Sequence, residues 1–407
     1  MSQSYSTSWK LDTHLVQGGC QRCDEQGNSV STVQPIYSST TYLHSDARTL
    51  DQAFSGSVSG GEPAYVYARQ SNPNANTLEE VVASVEGGVG AVAVGSGMAA
   101  IHVALLAAGL GPGSKILVAQ DLYGQTLALL HQIFAPLGAE VVQRDLCAPD
   151  AASRIREERP DILYVETLSN PLVKVVDLDA LSAAAREVSA VSIVDSTFAT
   201  PCLVRPIEHG FDLVVHSATK YFGGHGDSTG GLVVSAKKSL LDQLRSYAPM
   251  LGAMLSPFES YLILRGLKTL DLRMERHCRS ALQVAHFLQE HRAVAQVHYP
   301  GLPDHPHHAL ATRLLERERY GGLLSFELKE QSREAVFHFM DSLRLCLPAT
   351  TLGDVYSLVS YPPMSSHRAL SKSELQRLSI SEGCIRLSVG IENVEDILND
   401  LDQALTA

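Results

Sequence analysis

The sequence lacks an excess of basic residues and an uninterrupted hydrophobic run. Its 32 Lys and Arg residues are outnumbered by 44 Asp and Glu residues, which gives a net charge of −12 at pH 7. An acidic surface offers no general attraction to nucleic acid or to anionic membranes, so we expect neither as a main partner. The most apolar window, residues 90–110, is interrupted by Ser96, His102 and several glycines. It predicts a buried loop and helix rather than a membrane span.

We also expect neither a signal peptide nor a disulfide framework. Residues 1–4 show neither the basic nor the apolar segment of a signal peptide. The seven cysteines are scattered, which favours a reducing cytoplasm as the location. Cys20 and Cys23 form an isolated pair, whereas zinc needs a second ligand pair at a suitable distance. The histidines at 305–308 lie in a Pro-rich loop, so we expect no metal site.

The composition is otherwise that of an ordinary globular protein, with 45% hydrophobic and 19% charged residues among 407. Residues 1–70 are rich in Ser, Thr, Gly and Gln, and they predict an extended N-terminal arm that packs on something else. Over residues 71–256, short apolar runs alternate with helical patterns such as 98–108 and 178–188. The predicted strands lie at 90–94, 115–118, 140–143, 162–166, 192–195, 213–216 and 231–234.

This alternation predicts an α/β protein with a mostly parallel sheet flanked by helices. After Pro257, a long helical pattern runs from about 259 to 289, and it is followed by a strand at 322–328, a helix at 333–343 and a strand at 383–389. This less regular mixture predicts a smaller C-terminal α+β domain. The expected organisation is therefore an arm at 1–70, a large domain at 71–256 and a C-terminal domain at 257–407.

Polar residues follow several of the predicted strands. In open parallel sheets, ligands bind beyond the carboxyl ends of the strands, so these residues are expected to form one site. The segments concerned are 96–98, Glu166, Asp195 and 217–220. Ser96, Gly97 and Met98 open a helix, whose free amides and dipole suit a phosphate, although such a turn is common in α/β folds.

Lys220 lies in the segment HSATKYFGGH, residues 216–225, directly after an apolar run. A strand that delivers one lysine into a Gly-rich turn, flanked by the hydroxyls of Ser217 and Thr219, suits a Schiff-base lysine for pyridoxal phosphate. An isolated lysine in a turn is more often a surface residue. Asp195, at the end of the preceding strand, suits either a helix cap or a carboxylate that keeps a pyridine nitrogen protonated.

Eight motifs occur in order along the chain. They are YARQSNP (67–73), GSGMAA (95–100), DLYG (121–124), ETLSNP (166–171), DSTFATP (195–201), SATK (217–220), TLGD (351–354) and IRLSVGIE (385–392). Together they resemble the pyridoxal-phosphate-dependent family of Cys/Met metabolism, which includes cystathionine γ-synthases, cystathionine and methionine γ-lyases and O-acylhomoserine sulfhydrylases. The resemblance covers essentially the whole chain. It implies the fold-type I architecture, pyridoxal 5'-phosphate as cofactor, and a homo-oligomer of at least two subunits, usually a tetramer.

The resemblance also implies residue roles. Lys220 would hold the cofactor and then act as the base that removes the substrate α-proton. Tyr123 would stack on the cofactor ring and protonate the departing group, and Asp195 would pair with the ring nitrogen. The implied cofactor-binding set is Lys220, Gly97, Met98, Ser217, Thr219, Tyr67, Arg69, Tyr123, Asp195 and Thr197, in which Tyr67 and Arg69 would come from a neighbouring subunit. The implied substrate-binding set is Arg386, Thr351, Asn170, Tyr67 and Tyr356.

The activity expected from this resemblance is carbon–sulfur cleavage of a sulfur amino acid by α,γ-elimination. The alternative is γ-replacement on an O-acylhomoserine, and a third hypothesis is cofactor binding without catalysis. Tyr356 stands where cystathionine-handling members carry glutamate, so a partner for a distal substrate ammonium is missing. Gln125 replaces a usual glycine or cysteine. Asn74 replaces a common threonine and is expected near the substrate mouth.

Overall fold

A computed structural model describes residues 9–21, 29–55, 64–368 and 370–407. Cys23 and most of the Ser/Gly loop at 55–61 lie outside the described residues. Two sheets organise the described part of the chain, one of seven strands and one of five. The seven strands are β1 (Gly90–Val94), β2 (Lys115–Ala119), β3 (Glu140–Arg144), β4 (Ile162–Glu166), β5 (Val191–Asp195), β6 (Leu213–Ser217) and β7 (Gly231–Ser235).

The seven-stranded sheet has the order β1-β7-β6-β5-β4-β2-β3. Neighbours from β3 through β6 pair in parallel, whereas β7 is antiparallel to both β6 and β1. The predicted mostly parallel sheet is therefore confirmed. Because β1 and β6 run in the same direction, the carboxyl ends of β1, β2, β4, β5 and β6 lie along one edge.

The helices of this part of the chain either belong to the N-terminal arm or flank the sheet. Those of the arm are α1 (Leu11–Gln17) and α2 (Ala47–Phe54). The others are α3 (Pro73–Glu86), α4 (Gly97–Ala107), α5 (Gly124–Leu129), a π-helical turn (Leu130–Phe134), α6 (Ala151–Glu158), α7 (Leu178–Glu187), α8 (Thr200–Leu203) and α9 (Lys238–Met250). Helix α3 packs on β1, α4 packs on β6 and β7, and α7 packs on β5. Strands β4 and β7 are buried along their whole length, which agrees with the apolar runs at 162–165 and 232–234 within them.

The second sheet has the order β10-β11-β12-β9-β8 and is antiparallel except for the pair β10 and β11. Its strands are β8 (Val294–His298), β9 (Leu323–Leu328), β10 (Leu347–Pro348), β11 (Leu358–Ser360) and β12 (Cys384–Ser388). The helices of this part are α10 (Pro257–Leu267), α11 (Leu270–Glu290), α12 (His308–Leu314), α13 (Arg333–Ser342), α14 (Lys372–Arg377) and α15 (Val394–Thr406), with short 3₁₀ turns at Glu316–Glu318 and Pro362–Met364.

The prediction of one long helix over residues 259–289 was wrong, because the helix is interrupted between α10, which ends at Leu267, and α11, which begins at Leu270. Gly266 lies against the carbonyl groups of Phe222 and Gly223, where any Cβ would collide. The Arg273 guanidinium donates hydrogen bonds to the carbonyl oxygens of Gly266 (2.9 Å) and Tyr221 (2.7 Å). These contacts hold the junction between α10 and α11 against the segment that follows Lys220.

Asn74 lies at the start of α3, and its expected place near the substrate mouth remains a prediction. Its buried side chain accepts a hydrogen bond from the Tyr37 amide and donates one to the Pro35 carbonyl, both at 2.9 Å. Asn74 thus anchors the N-terminal arm to the start of α3. The division of the chain at residues 70 and 256 remains a prediction. None of the helices in the described part of the chain has the length and hydropathy that a bilayer span requires.

Candidate active site

A cavity of about 460 Å³ opens at the carboxyl edge of the seven-stranded sheet. It brings together residues from five strand ends and from β12, which are far apart in the sequence. The predicted site residues that line it are Lys220, Tyr123, Asp195, Gly97, Met98, Ser217, Thr219, Thr197, Asn170 and Arg386. Thr351 does not line the cavity, but its hydroxyl contacts the Lys220 amine there through a hydrogen bond.

Lys220 follows β6 and directs its amine into the cavity. Its Nζ donates a hydrogen bond to Thr351 Oγ1 at 2.8 Å. Burial lowers the pKa of Lys220 to about 8, and the nearby Arg386 charge acts in the same direction. An amine with a pKa this low has a substantial neutral fraction near physiological pH, which makes it a nucleophile toward a carbonyl group.

One end of the cavity suits a phosphate group. Helix α4 begins there, and the amides of a first helical turn have no partner within the helix. Gly97 lies so close to Ser217 that an added Cβ would be 2.8 Å from Ser217 Oγ. The Ser217 amide donates a hydrogen bond to Thr197 Oγ1 (2.8 Å), and the Gly230 amide donates one to Thr219 Oγ1 (3.1 Å). Hydroxyls and helix amides thus converge in an anion-binding arrangement.

Two carboxyl groups, those of Asp195 and Glu166, lie side by side because β4 and β5 pair them in register. Burial raises the pKa of both groups, and the charge of Asp195 raises the pKa of Glu166 further, well above its usual range. Asp195 also accepts a hydrogen bond from the Thr197 amide at 2.9 Å, which favours its ionised form. Asp195 therefore ionises first and carries the negative charge of the pair.

Tyr123 precedes α5, and its ring lines the cavity with 40% of the residue exposed. Its amide donates a hydrogen bond to Glu166 Oε1 at 2.6 Å, which ties the turn to the end of β4. On the other side, the carbonyl oxygen of Ser366 lies only 2.5 Å from where a Cβ on Gly124 would be. The segment after Pro362–Met364 therefore closes directly on the turn that carries Tyr123.

Arg386 lies in β12 with 4% of its surface exposed. Its Nη1 donates to Asn170 Oδ1 at 3.0 Å, and its Nη2 donates to the Thr351 carbonyl at 3.2 Å. Burial lowers the pKa of Arg386 to about 10, so the guanidinium remains charged at neutral pH. Its Nε is buried and has no partner among the described residues. A fixed guanidinium on the cavity wall suits a substrate carboxylate.

Three predicted site residues lie away from the cavity lining of the single chain. Arg69 Nη1 donates to the Pro249 carbonyl at 3.1 Å, and its guanidinium lies 5.6 Å from the centre of the Tyr67 ring. Tyr356 points instead toward the loop after the Lys220 segment, where its hydroxyl donates to the His225 carbonyl at 3.4 Å. The chain therefore does not bring Tyr67, Arg69 or Tyr356 to its own cavity.

Several cavity residues have no role in the sequence-based set. Glu166 was identified only as a polar residue at the end of a strand. Its position beside Asp195 depends on the order of the strands in the sheet, which cannot be read from the sequence. Gln125 was noticed only as a substitution, yet it lines the cavity. Ser365 and Ser366 also line it, and they come from an irregular segment without a recognisable pattern. They could be found only from the fold.

Outside the cavity, Asp121, Asp145 and Cys147 hold their ligand-type atoms within 4.8 Å of one another. The Lys174 ammonium lies 2.9 Å from Asp121 Oδ1 and supplies a positive charge to this cluster. The histidines at 305–308 instead hold the backbone. His307 Nδ1 accepts a hydrogen bond from the Val175 amide (2.9 Å), and His308 Nδ1 bonds to the Pro300 carbonyl oxygen (2.8 Å).

Comparisons with known proteins agree with this geometry. The model of the family "Cys/Met metabolism PLP-dependent enzyme" matches residues 12–406. Cystathionine beta-lyase of Lactococcus lactis subsp. cremoris (strain MG1363) is 39% identical over 97% of this chain and 98% of its own. L-methionine gamma-lyase of Fusobacterium nucleatum subsp. polymorphum is 40% identical over 91% and 92%.

Solved structures are equally similar. Cystathionine gamma synthase from Xanthomonas oryzae pv. oryzae, in complex with aminoacrylate and cysteine, superposes with a TM-score of 0.90 at 37% identity, covering 98% of both chains. Cystathionine gamma-lyase from Lactobacillus plantarum, complexed with L-serine, gives a TM-score of 0.88 at 32% identity, covering 98% of this chain and 99% of the other. The chain belongs to the Cys/Met metabolism family of pyridoxal-phosphate-dependent enzymes, and its predicted fold class is confirmed.

The cavity residues fit pyridoxal 5'-phosphate, the cofactor of this family. Helix α4 and the hydroxyls of Ser217 and Thr219 suit its phosphate, and the space beside Gly97 is one that a Cβ would fill. The amine of Lys220 suits its aldehyde, and the ionised carboxylate of Asp195 suits its ring nitrogen. The polar groups of the cavity thus match the phosphate, the aldehyde and the ring nitrogen of the cofactor.

Proposed function

We propose that the protein is a carbon–sulfur lyase that performs α,γ-elimination on a sulfur amino acid. The observation that carries the proposal is a single cavity in which the Lys220 amine faces the Arg386 guanidinium, with Asp195 at a neighbouring strand end. The relatives named as cystathionine lyases and methionine gamma-lyases, at 39–40% identity across nearly the whole chain, support the lyase assignment.

The bound cofactor supplies a protonated ring that withdraws electrons from the substrate Cα. Each protein group then has a defined task. Arg386, oriented by Asn170, binds the substrate carboxylate and fixes the amino acid in the cavity. Lys220 takes the proton from Cα, and the Thr351 hydroxyl holds its Nζ in place. Tyr123 lines the same cavity and donates a proton to the departing sulfur.

Tyr67 and Arg69 serve the cavity of a neighbouring subunit in this proposal, which makes a dimer the smallest active unit and a tetramer the expected assembly. The support is that both residues lie outside the cavity of their own chain. The arm also exposes apolar side chains that a second copy would cover, with Leu43 fully exposed and Phe54 63% exposed.

The protein is proposed to work in the cytoplasm. Cys202, Cys278, Cys346 and Cys384 are buried thiols, which suits a reducing compartment.

The test is product analysis with four substrates, namely methionine, cystathionine, homocysteine and O-acetylhomoserine, each with and without an added thiol. The proposal predicts ammonia and 2-oxobutanoate from a sulfur amino acid without added thiol. Pyruvate from cystathionine would indicate β-elimination, the activity in the name of the Lactococcus relative. A new thioether formed only from O-acetylhomoserine and the thiol would establish γ-replacement instead and overturn the proposal.

A further inference from the structure

Asp354 is a buried carboxylate with no assigned role. It is 1% exposed, and neither of its oxygens has a hydrogen-bond partner among the described residues. A buried carboxylate without hydrogen bonds is costly, because its charge has lost water and gained no donor in return. Such a carboxyl group is either protonated and neutral, or it is ionised and stabilised by positive charge nearby.

The turn that carries Asp354 packs directly on Lys220. Gly353 has a φ of +81°, and an added Cβ would lie 2.7 Å from the Tyr221 amide nitrogen and 3.2 Å from the Lys220 carbonyl carbon. Two residues earlier, the Thr351 hydroxyl accepts the hydrogen bond from Lys220 Nζ. The turn 351–354 therefore contacts both ends of Lys220, its amine and its backbone.

Backbone hydrogen bonds fix this turn. The Gly353 amide donates to Ser388 Oγ at 2.9 Å, and the Val355 amide donates to the Gly224 carbonyl at 2.9 Å. The carboxylate of Asp354 consequently has a defined position between the end of β12 and the loop that follows Lys220.

The charges around Asp354 are mainly positive. Burial raises its pKa, and the Lys220 amine opposes this most strongly. The Gly226 amide, which is near Asp354 without forming a regular hydrogen bond, and His225 also lower the pKa, whereas exposed Asp227 raises it. Burial lowers the pKa of Arg273 on α11 to about 10, and the charge of Asp354 is among the groups that oppose this shift.

Lys220 faces other charged or titratable groups from each surrounding element. Arg386 on β12 lowers the pKa of the Lys220 amine, and Asp354 raises it. The remaining groups of the cavity are Asp195 on β5, Glu166 on β4 and Tyr123 before α5. Asp195 is assigned to the cofactor ring, and burial together with the charge of Asp195 raises the pKa of Glu166 well above its usual range. Asp354 is therefore the carboxylate that offsets Arg386 at the amine.

We propose that Asp354 is a positioning residue for Lys220, whose fixed negative charge favours the protonated amine at the moment when Lys220 receives the substrate proton. In that step the Cα–H bond breaks, an N–H bond forms on Nζ, and the electron pair passes to the substrate–cofactor system. Asp354 acts through Lys220 and does not touch the substrate. The inference rests on the role of Lys220 in the proposed function.

The experiment is a pH titration of the visible absorbance of the holoenzyme, which reports protonation of the nitrogen that joins Lys220 to the cofactor. Asp354→Asn keeps the shape of the side chain and removes its charge. The midpoint should fall by roughly one pH unit, as expected for loss of one nearby opposite charge. Asp354→Glu, which retains the charge, should titrate close to the wild type.

Asp227→Asn is the matched control, because it removes one exposed carboxylate from the neighbouring loop and should leave the midpoint unchanged. An unchanged midpoint in Asp354→Asn, with cofactor bound, would overturn the inference. So would an equal shift in the Asp227→Asn control. Because the titration needs no substrate, a protein that proves not to be a lyase leaves this test valid.

Discussion

Burial gives Lys220 a chemical property that an exposed lysine lacks. Its pKa is lowered to about 8, so the amine becomes neutral, and nucleophilic, as the pH rises through about 8 rather than through 10.5. The rate of covalent cofactor loading onto the cofactor-free protein should therefore rise with pH and level off above about 9. Stopped-flow absorbance across a pH series measures this rate. A midpoint near that of an ordinary lysine would contradict the account.

Arg386 is expected to bind the substrate carboxylate. Arg386→Ala removes the charged donor and leaves the Asn170 side chain without its partner. We expect transition-state stabilisation to fall by about 3 kcal/mol, which lowers kcat/KM roughly 150-fold, with most of the change in KM. Arg386→Lys keeps the charge without the planar fork and should recover only part of the loss. Steady-state kinetics of both variants provide the measurement, and a wild-type KM in Arg386→Ala would disprove the clamp.

At the scale of secondary-structure elements, the contact between α4 and β6 forms the phosphate end of the cavity. Gly97→Ala would press a Cβ against Ser217 and push the two elements apart. We expect cofactor affinity to fall roughly 5- to 150-fold, since a single misplaced methyl group in a packed contact costs about 1–3 kcal/mol. Fluorescence titration with cofactor measures the affinity.

The matched control for this variant is Gly111→Ala, because an added Cβ there meets nothing within 4 Å. It should bind cofactor like the wild type. Equal affinities for Gly97→Ala and Gly111→Ala would show that the α4–β6 contact does not determine cofactor binding.

The strands of the large sheet could be predicted from sequence because each is a short apolar run bounded by turn residues. The order of the strands could not be predicted from sequence, and neither could the register that places Glu166 beside Asp195. The break between α10 and α11 was also missed. Next to it, Gly266 lies against the carbonyls of a segment about 40 residues away, a contact that the local sequence does not reveal. Hydrophobic periodicity indicates which face of a helix is buried, but it contains no information about such distant contacts.

The candidate site shows the same limit. Lys220, Asp195 and Arg386 could be selected from motifs because each lies in a run of residues that suits its chemistry. The role of Asn74 in anchoring the arm was missed, since its local sequence does not reveal the contact with the Tyr37 amide. Asp354 stood in a recognised motif, yet its unpaired burial beside Lys220 emerges only from the packing of the turn.

At the scale of the whole molecule, the proposed arrangement makes each active site depend on two subunits. A mixture of Arg69→Ala and Lys220→Ala chains should therefore regain activity, because a hybrid dimer contains one site with both wild-type residues. Random mixing makes about half of the dimers hybrid, which predicts roughly a quarter of the wild-type activity. Co-refolding followed by an activity assay measures the recovery. If the mixture stays as inactive as its components, the shared site is disproved.

The central claim is that the cofactor is held covalently by Lys220 in the cavity at the sheet edge. Borohydride reduction of the holoenzyme, followed by peptide mapping by mass spectrometry, tests it most directly. We predict a reduced phosphopyridoxyl adduct on the peptide that contains Lys220, and loss of both the adduct and the visible absorbance in Lys220→Ala with an unchanged circular dichroism spectrum. An adduct on another lysine, or a coloured Lys220→Ala protein that yields the same adduct elsewhere, would contradict the account.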